Sequence, residues 1–185
     1  MESNSTNIRI KGSDHFRAGG DEGRPKATDS WRTPPAVFEK LDSEFHFVLD
    51  AACTSENCLA PNGNYFDKGI DGLSTNWKEL TASGAIWLNP PYSNVRPWLE
   101  KAYTSECTVV FLITLDCSTK WWQECVKDRA AEVRMVTHRI KFLSPLGAEH
   151  HTKKNGGGTT TPSAIVIFRP NFRGTTSYGY ISFKD

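Results

Sequence analysis

Apolar residues along this chain fall into short continuous runs set between polar, proline- and glycine-punctuated stretches. Six of these runs read as strands: residues 45–53 (FHFVLDAAC, ending at Asp50), 85–88 (AIWL), 108–116 (TVVFLITLD), 132–136 (EVRMV), 164–168 (AIVIF) and 178–183 (YGYISF). Runs of this kind, without polar alternation, mark strands covered on both faces. Helical spacing occurs in between. In WRTPPAVFEKL, Thr33 is placed to cap, Pro34 or Pro35 fits the first turn, and Val37, Phe38 and Leu41 share a face. Residues 94–102 (NVRPWLEKA) carry Pro97 in a first turn, and an amphipathic stretch passes through Trp121, Trp122, Cys125 and Val126.

Strands alternating with helices predict an α/β fold: a mostly parallel sheet with helices on both faces. The last two strands, joined through a turn containing Gly174, are expected to form an antiparallel C-terminal hairpin at the sheet's edge. Residues 1–29 mix both charges with Gly and Ser and show no period, so they are expected to be a flexible N-terminal arm, leaving 30–185 as a single domain. Residues 54–84 are interrupted by Pro61, Gly63, Gly69, Gly72 and Gly84, so their elements must be short.

Composition narrows the picture. At 185 residues and 38% hydrophobic, the chain holds one core. Lys and Arg total 22 against 21 Asp and Glu, so any nucleic-acid surface must come from local clustering. Five cysteines without a CxxC pair, and no signal-peptide pattern, suggest reduced thiols in a cytoplasmic protein. No apolar run approaches the roughly 20 residues that cross a bilayer, so no membrane partner is expected. His150 and His151 with Cys53 and Cys58 show no recurring zinc spacing, and no metal is expected.

The chemistry concentrates in AIWLNPPYSN. Asn89 follows a predicted strand, as Asp50 ends another, and ligands of open α/β sheets sit outside such carboxyl ends. Asn89 offers an amide oxygen and Pro90 a carbonyl, Pro91 fixes the backbone, and Tyr92 presents a flat face. Together they can hold a planar amino group: two acceptors take its hydrogens, the ring stacks on its carrier, and the nitrogen lone pair turns toward an electrophile such as a methyl group. Asn-Pro-Pro also makes an ordinary turn, Asp50 also serves as a strand-end acceptor, and Asp71 in IDGL also suits a turn. The rarity of the tetrapeptide at a strand's end favours chemistry.

Other residues are open to two readings. Arg139, in HRIKF after a strand, suits a phosphate or a surface ion pair. Lys153 and Lys154, in the long 144–161 segment SPLGAEHHTKKNGGGTTT, suit DNA phosphates or a plain surface excursion. Trp77, Trp98, Trp121 and Trp122 read as core rather than as base platforms.

Taken in order, WRTPPAVFEKL, FVLDAAC, DGLSTNW, AIWLNPPYSNVRPWLEKA, VVFLITLD with TKWW, HRIKF and PSAIVIF resemble the phage-type DNA N6-adenine methyltransferase (Dam) family, from about residue 31 to 168. That resemblance implies a Rossmann-like S-adenosylmethionine-dependent methyltransferase fold, and transfer of the cofactor's methyl group to N6 of a flipped adenine in double-stranded DNA, in a bacterial host's cytoplasm if phage encoded. It implies Asn89, Pro90, Pro91 and Tyr92 as the catalytic motif. The cofactor contacts it implies are Asp50, Ala51, Ala52 and Asp71, with Trp31, Thr33 and Pro34 against the methionine end. A helix N-terminus with free amides would suit that carboxylate. The turn after the first strand departs from the glycine-rich form of many methyltransferases, reading Asp50-Ala51-Ala52-Cys53. Related chemistry at cytosine N4, an rRNA base or a protein glutamine, and a catalytically silent nucleic-acid-binding relative, remain the alternatives.

Overall fold

The computed structural model describes residues 29, 31–53, 57–60, 65–66, 71–81, 84–143 and 161–184. Lys153 and Lys154, most of their loop, and the arm up to residue 28 lie outside them.

The first helix, α1 (Pro35–Phe45), begins at a proline pair whose fixed φ suits a first turn. Thr33 is not its cap: the N-cap position falls on Pro34, and the Thr33 side chain is buried instead. Asp42 sets the other end. Its carbonyl accepts from the N–H of His46, which adopts a left-handed φ of 55°, and its carboxylate accepts from the Phe47 N–H at 2.7 Å. One residue thus stops the helix and starts the strand, which is why β1 (Phe47–Asp50) is shorter than the apolar run around it.

The chain continues through α2 (Trp77–Leu80), β2 (Ala85–Leu88), a single 3-10 turn (Tyr92–Asn94), α3 (Arg96–Thr104), β3 (Val109–Thr114), α4 (Lys120–Cys125), β4 (Glu132–Val136), β5 (Ser163–Phe168) and β6 (Ser177–Ile181). They build one six-stranded sheet in the order β1-β2-β3-β5-β4-β6. Strands β1, β2 and β3 are mutually parallel, as are β4 and β6, and β5 runs antiparallel to both of its neighbours.

The sheet is covered on both faces, as the continuous apolar runs require. Ile86, Leu88, Val109, Phe111, Val166 and Phe168 pack toward Trp77, Leu99 and Trp122 of α2, α3 and α4. The alternate residues, Trp87, Val110, Leu112, Ile165 and Ile167, pack toward Val37, Phe38 and Leu41 of α1. Each such side chain contributes about 1.5–3 kcal/mol by leaving water. Trp77 and Trp122 are fully buried, so they are core residues.

The expected C-terminal hairpin does not form. β4 lies between β5 and β6, pairing antiparallel with the first and parallel with the second. Burial explains this. Every residue of β5 is buried, so it gains most from a central place, whereas β6 exposes Ser177, Tyr178 and Tyr180 and is suited to an edge. The connection between them is pinned beneath the sheet by Thr176, whose hydroxyl donates to the Ala130 carbonyl at 2.8 Å and accepts from the Asp128 N–H at 2.8 Å.

Candidate active site

Asp50 at the end of β1 pairs in register with Trp87 of β2, so Asn89 leaves its strand beside the first strand's carboxyl end. The ladder runs one step further, with the Ala51 N–H donating to the Trp87 carbonyl at 3.2 Å. A cleft opens at this edge. Trp31, Thr33, Asp50, Ala52 and Asn89, all singled out above, line it together. It is narrow, about 30 Å³, which is room for a water or two. A larger cavity of about 560 Å³, bordered by Gly84, Thr108 and Arg169, lies at the opposite edge, where the parallel strands begin and ligands of such sheets do not bind.

Asn89 is oriented by chemistry. Its side-chain nitrogen donates to the Trp31 carbonyl at 3.4 Å, a bond that only the NH₂ end can make, so the oxygen is turned away from that carbonyl. Among the described residues nothing donates to that oxygen or to the Pro90 carbonyl. The turn is then closed by the Asn94 N–H on the Pro91 carbonyl at 3.1 Å.

Tyr92 is a fixed wall. Its hydroxyl donates to the Leu112 carbonyl of β3 at 3.3 Å, and its ring meets Phe142 edge-on, with centroids 6.3 Å apart. Burial pushes the phenol's pKa well above its ordinary value, so Tyr92 offers a face and no base. Phe142 reaches it because Arg32 and Leu143 exchange backbone hydrogen bonds of 2.8 and 2.9 Å, strapping the segment after β4 onto the residues before α1.

The other wall is softer chemically. Asp50 is only 4% exposed, and desolvation pushes its carboxyl up to about 7, although the N–H groups of Leu59 (3.3 Å) and Ala52 (3.4 Å) favour its charged form. The Cys53 thiol donates to the Asp50 carbonyl at 3.3 Å, and Cys58 stands beside Cys53 and holds its pKa above the ordinary thiol value. Ala51 is buried, and its carbonyl lies where a side chain on residue 72 would be: a Cβ on Gly72 would come within 2.7 Å of it. Glycine therefore seats the Asp71 turn against the end of β1. Asp71 does not line the cleft. It is exposed, and one carboxylate oxygen accepts from the Leu73 N–H at 2.9 Å.

The amides expected before α1 are fewer than the sequence suggests. Pro34 and Pro35 have no N–H, and that of Val37 is taken by the Pro34 carbonyl at 3.0 Å. Arg139 is exposed on the segment leaving β4, at the same edge of the sheet as the cleft.

Several residues of the site carry no signal in the sequence. Asp29, the last residue of the expected arm, accepts from the Ser93 N–H at 3.2 Å and the Ser93 hydroxyl at 2.7 Å, tying the chain before α1 to the turn after β2, 64 residues away. Asn57 and Leu59 line the cleft because the chain folds back onto Asp50.

Comparison with known proteins agrees with the motifs. The chain is 29% identical over 164 residues, 85% of its length and 88% of the relative's, to a DNA N-6-adenine-methyltransferase of Haemophilus phage HP1. It is 29% identical over 109 residues, 57% of its length and 43% of the relative's, to a protein of the same name from Escherichia phage T1. A family model described as DNA N-6-adenine-methyltransferase (Dam) matches residues 22–185, which span the cleft, both strand ends and the whole sheet; the chain belongs to that family.

Proposed function

We propose that the chain methylates N6 of an adenine flipped out of double-stranded DNA, with S-adenosylmethionine as methyl donor, on a Rossmann-like methyltransferase fold. The observation that carries this reading is the pair of uncommitted acceptors, Asn89 Oδ1 and the Pro90 carbonyl, at the rim of a cleft that ends in a buried carboxylate.

The residues fit the cofactor in kind. Asp50 supplies a buried acceptor, Ala51 and Ala52 allow close approach, Trp31 and Trp87 give apolar walls, and Thr33 adds a hydroxyl. Asp71, exposed on the turn seated against Ala51, is the proposed second contact, and Pro34 borders the methionine end. At its present width the cleft must open on binding, and Cys53, Asn57 and Leu59 line the side next to Asp50.

When bound, S-adenosylmethionine supplies an electrophilic methyl whose bonding pair leaves with sulfur. Asn89 Oδ1 and the Pro90 carbonyl accept the two hydrogens of the adenine amine, which holds the nitrogen lone pair toward the methyl. As the N–C bond forms, N6 becomes positively charged, and both acceptors strengthen their hold on its protons. The released proton goes to water, since neither acceptor is a base and the Tyr92 hydroxyl is committed to Leu112. Tyr92 holds the flipped ring by its face.

Arg139, at the cleft's edge of the sheet, and Lys153 and Lys154, outside the described residues, are the proposed phosphate contacts. For a phage-encoded chain the reaction would run in the host cytoplasm. Among the described residues no helix is long and apolar enough to cross a membrane.

The test is to treat unmethylated duplex DNA with protein and cofactor, digest to nucleosides and analyse by mass spectrometry. N6-methyladenine is expected. Its absence, with N4-methylcytosine or no product in its place, overturns the reading.

A further inference from the structure

Beside the cleft, three metal-binding atoms converge that methyl transfer does not use together. A carboxylate oxygen of Asp50 and the sulfurs of Cys53 and Cys58 all lie within 4.8 Å of one another. We propose that Asp50, Cys53 and Cys58 bind a single thiophilic divalent cation of the Zn²⁺ type.

The donor set selects the ion. Two thiolates and one carboxylate suit Zn²⁺, whereas Mg²⁺ and Ca²⁺ prefer sites made of oxygen alone. The cysteines stand in a C-x₄-C spacing, within the range zinc ligands use. Around one tetrahedral ion, sulfurs at about 2.3 Å from the metal are roughly 3.8 Å apart, so the cluster needs to contract by no more than about 1 Å.

The support expected around such a site is also present. Backbone N–H groups of Leu59 and Ala52 orient the Asp50 carboxylate. Cys53 lines the cleft, which gives the ion a way in and a water a place as fourth ligand. Arg32 also lines the cleft.

In sequence these cysteines with His150 and His151 show no recurring zinc spacing, and no metal is expected from them. The fold supplies Asp50 as the third ligand instead. The same carboxylate faces the cleft, so a bound cation competes with the methyl donor. That consequence rests on the proposed function; cation binding itself does not.

Titration of the reduced full chain with Co²⁺ under anaerobic conditions, without cofactor or DNA, tests the site. One equivalent should produce a thiolate-to-metal charge-transfer band that Zn²⁺ abolishes. Cys53→Ser and Cys58→Ser should each weaken binding at least tenfold, while Cys117→Ser, at an exposed thiol elsewhere, should leave it unchanged. Circular dichroism of the serine variants, both at half-buried positions, checks their fold. A wild-type protein without the band, or a band surviving in the Cys53→Ser/Cys58→Ser double variant, overturns the proposal. Excess S-adenosylmethionine should raise the apparent Co²⁺ dissociation constant. A band that forms but ignores the cofactor leaves the cation site standing and counts against Asp50 as a cofactor contact.

Discussion

The two strand ends that face each other across the cleft are built on opposite principles. The end of β2 is set in advance: two prolines limit the backbone, Asn89 is turned by the Trp31 carbonyl, Tyr92 is tied to β3, and Ser93 is tied to Asp29. Its phenol is pushed above the ordinary tyrosine value by burial. The end of β1 carries a buried carboxyl pushed up to about 7, two neighbouring thiols and small alanines, and its carboxylate accepts from the N–H groups of Ala52 and Leu59. One wall therefore fixes geometry, while the other is the proposed place for proton, cation and cofactor binding. Enzymes place rigidity where a reacting atom must be aimed and tolerance where a ligand must enter.

Asn89→Ala separates the walls most sharply. It removes an acceptor needed as charge develops, so turnover should fall on the order of a hundredfold or more while cofactor affinity stays nearly constant. Single-turnover kinetics beside calorimetry checks this, and matched loss in both would merge the two walls' roles. On the other side, Asp50→Ala should weaken S-adenosylmethionine binding at least tenfold, about 1.4 kcal/mol. Unchanged affinity in a folded variant would remove Asp50 from the cofactor site.

The titrating wall also predicts a slope. In the unfolded chain Asp50 releases its proton near its ordinary 3.8, whereas the fold keeps it up to about 7. Between those values the folded state binds more protons, so this group's stabilising contribution is full below about pH 4 and is lost as pH rises through 7. Urea unfolding at about pH 5 and about pH 8 should show that fall, flattened in Asp50→Asn; an equal slope in both proteins would mean the carboxyl titrates normally.

Smaller effects probe the fixed wall. Tyr92→Phe keeps the ring and loses the bond to Leu112, so it should cost about 1 kcal/mol of stability and leave turnover within a few-fold. A large loss of turnover with stability intact would give the hydroxyl a chemical role. Asp29→Ala, at an exposed contact with Ser93, should cost under about 1 kcal/mol. Its informative readout is a slight fall in turnover without any change in cofactor affinity, and the reverse pattern would tie Asp29 to the opposite wall.

The rigid wall was also the legible one. AIWL followed by NPPY announces a buried strand and a proline-fixed turn in adjacent letters, and the unbroken apolar runs announced a sheet covered on both faces. The responsive wall depends on chain return: Leu59 reaching Asp50 and Gly72 reaching Ala51 leave no periodic trace. Strand order was hidden for a similar reason. Adjacency in sequence suggested a hairpin, but the burial of all six positions of SAIVIF decided the matter, and β4 took the place beside it. Thr33 looked like a cap by its position before two prolines, yet it was drawn inward to the cleft.

The central place of β5 has a consequence for how the chain reaches its fold. Its residues follow both β3 and β4 in the chain, yet they bond β3 on one side and β4 on the other. Until they arrive, both neighbours present bare apolar edges, so the sheet cannot close progressively as the polypeptide leaves the ribosome. Assembly must wait for a long-range pairing, the kind of step that slows folding and exposes strands to aggregation. A nascent chain stopped before residue 163 would be a substrate for chaperones rather than a smaller working enzyme.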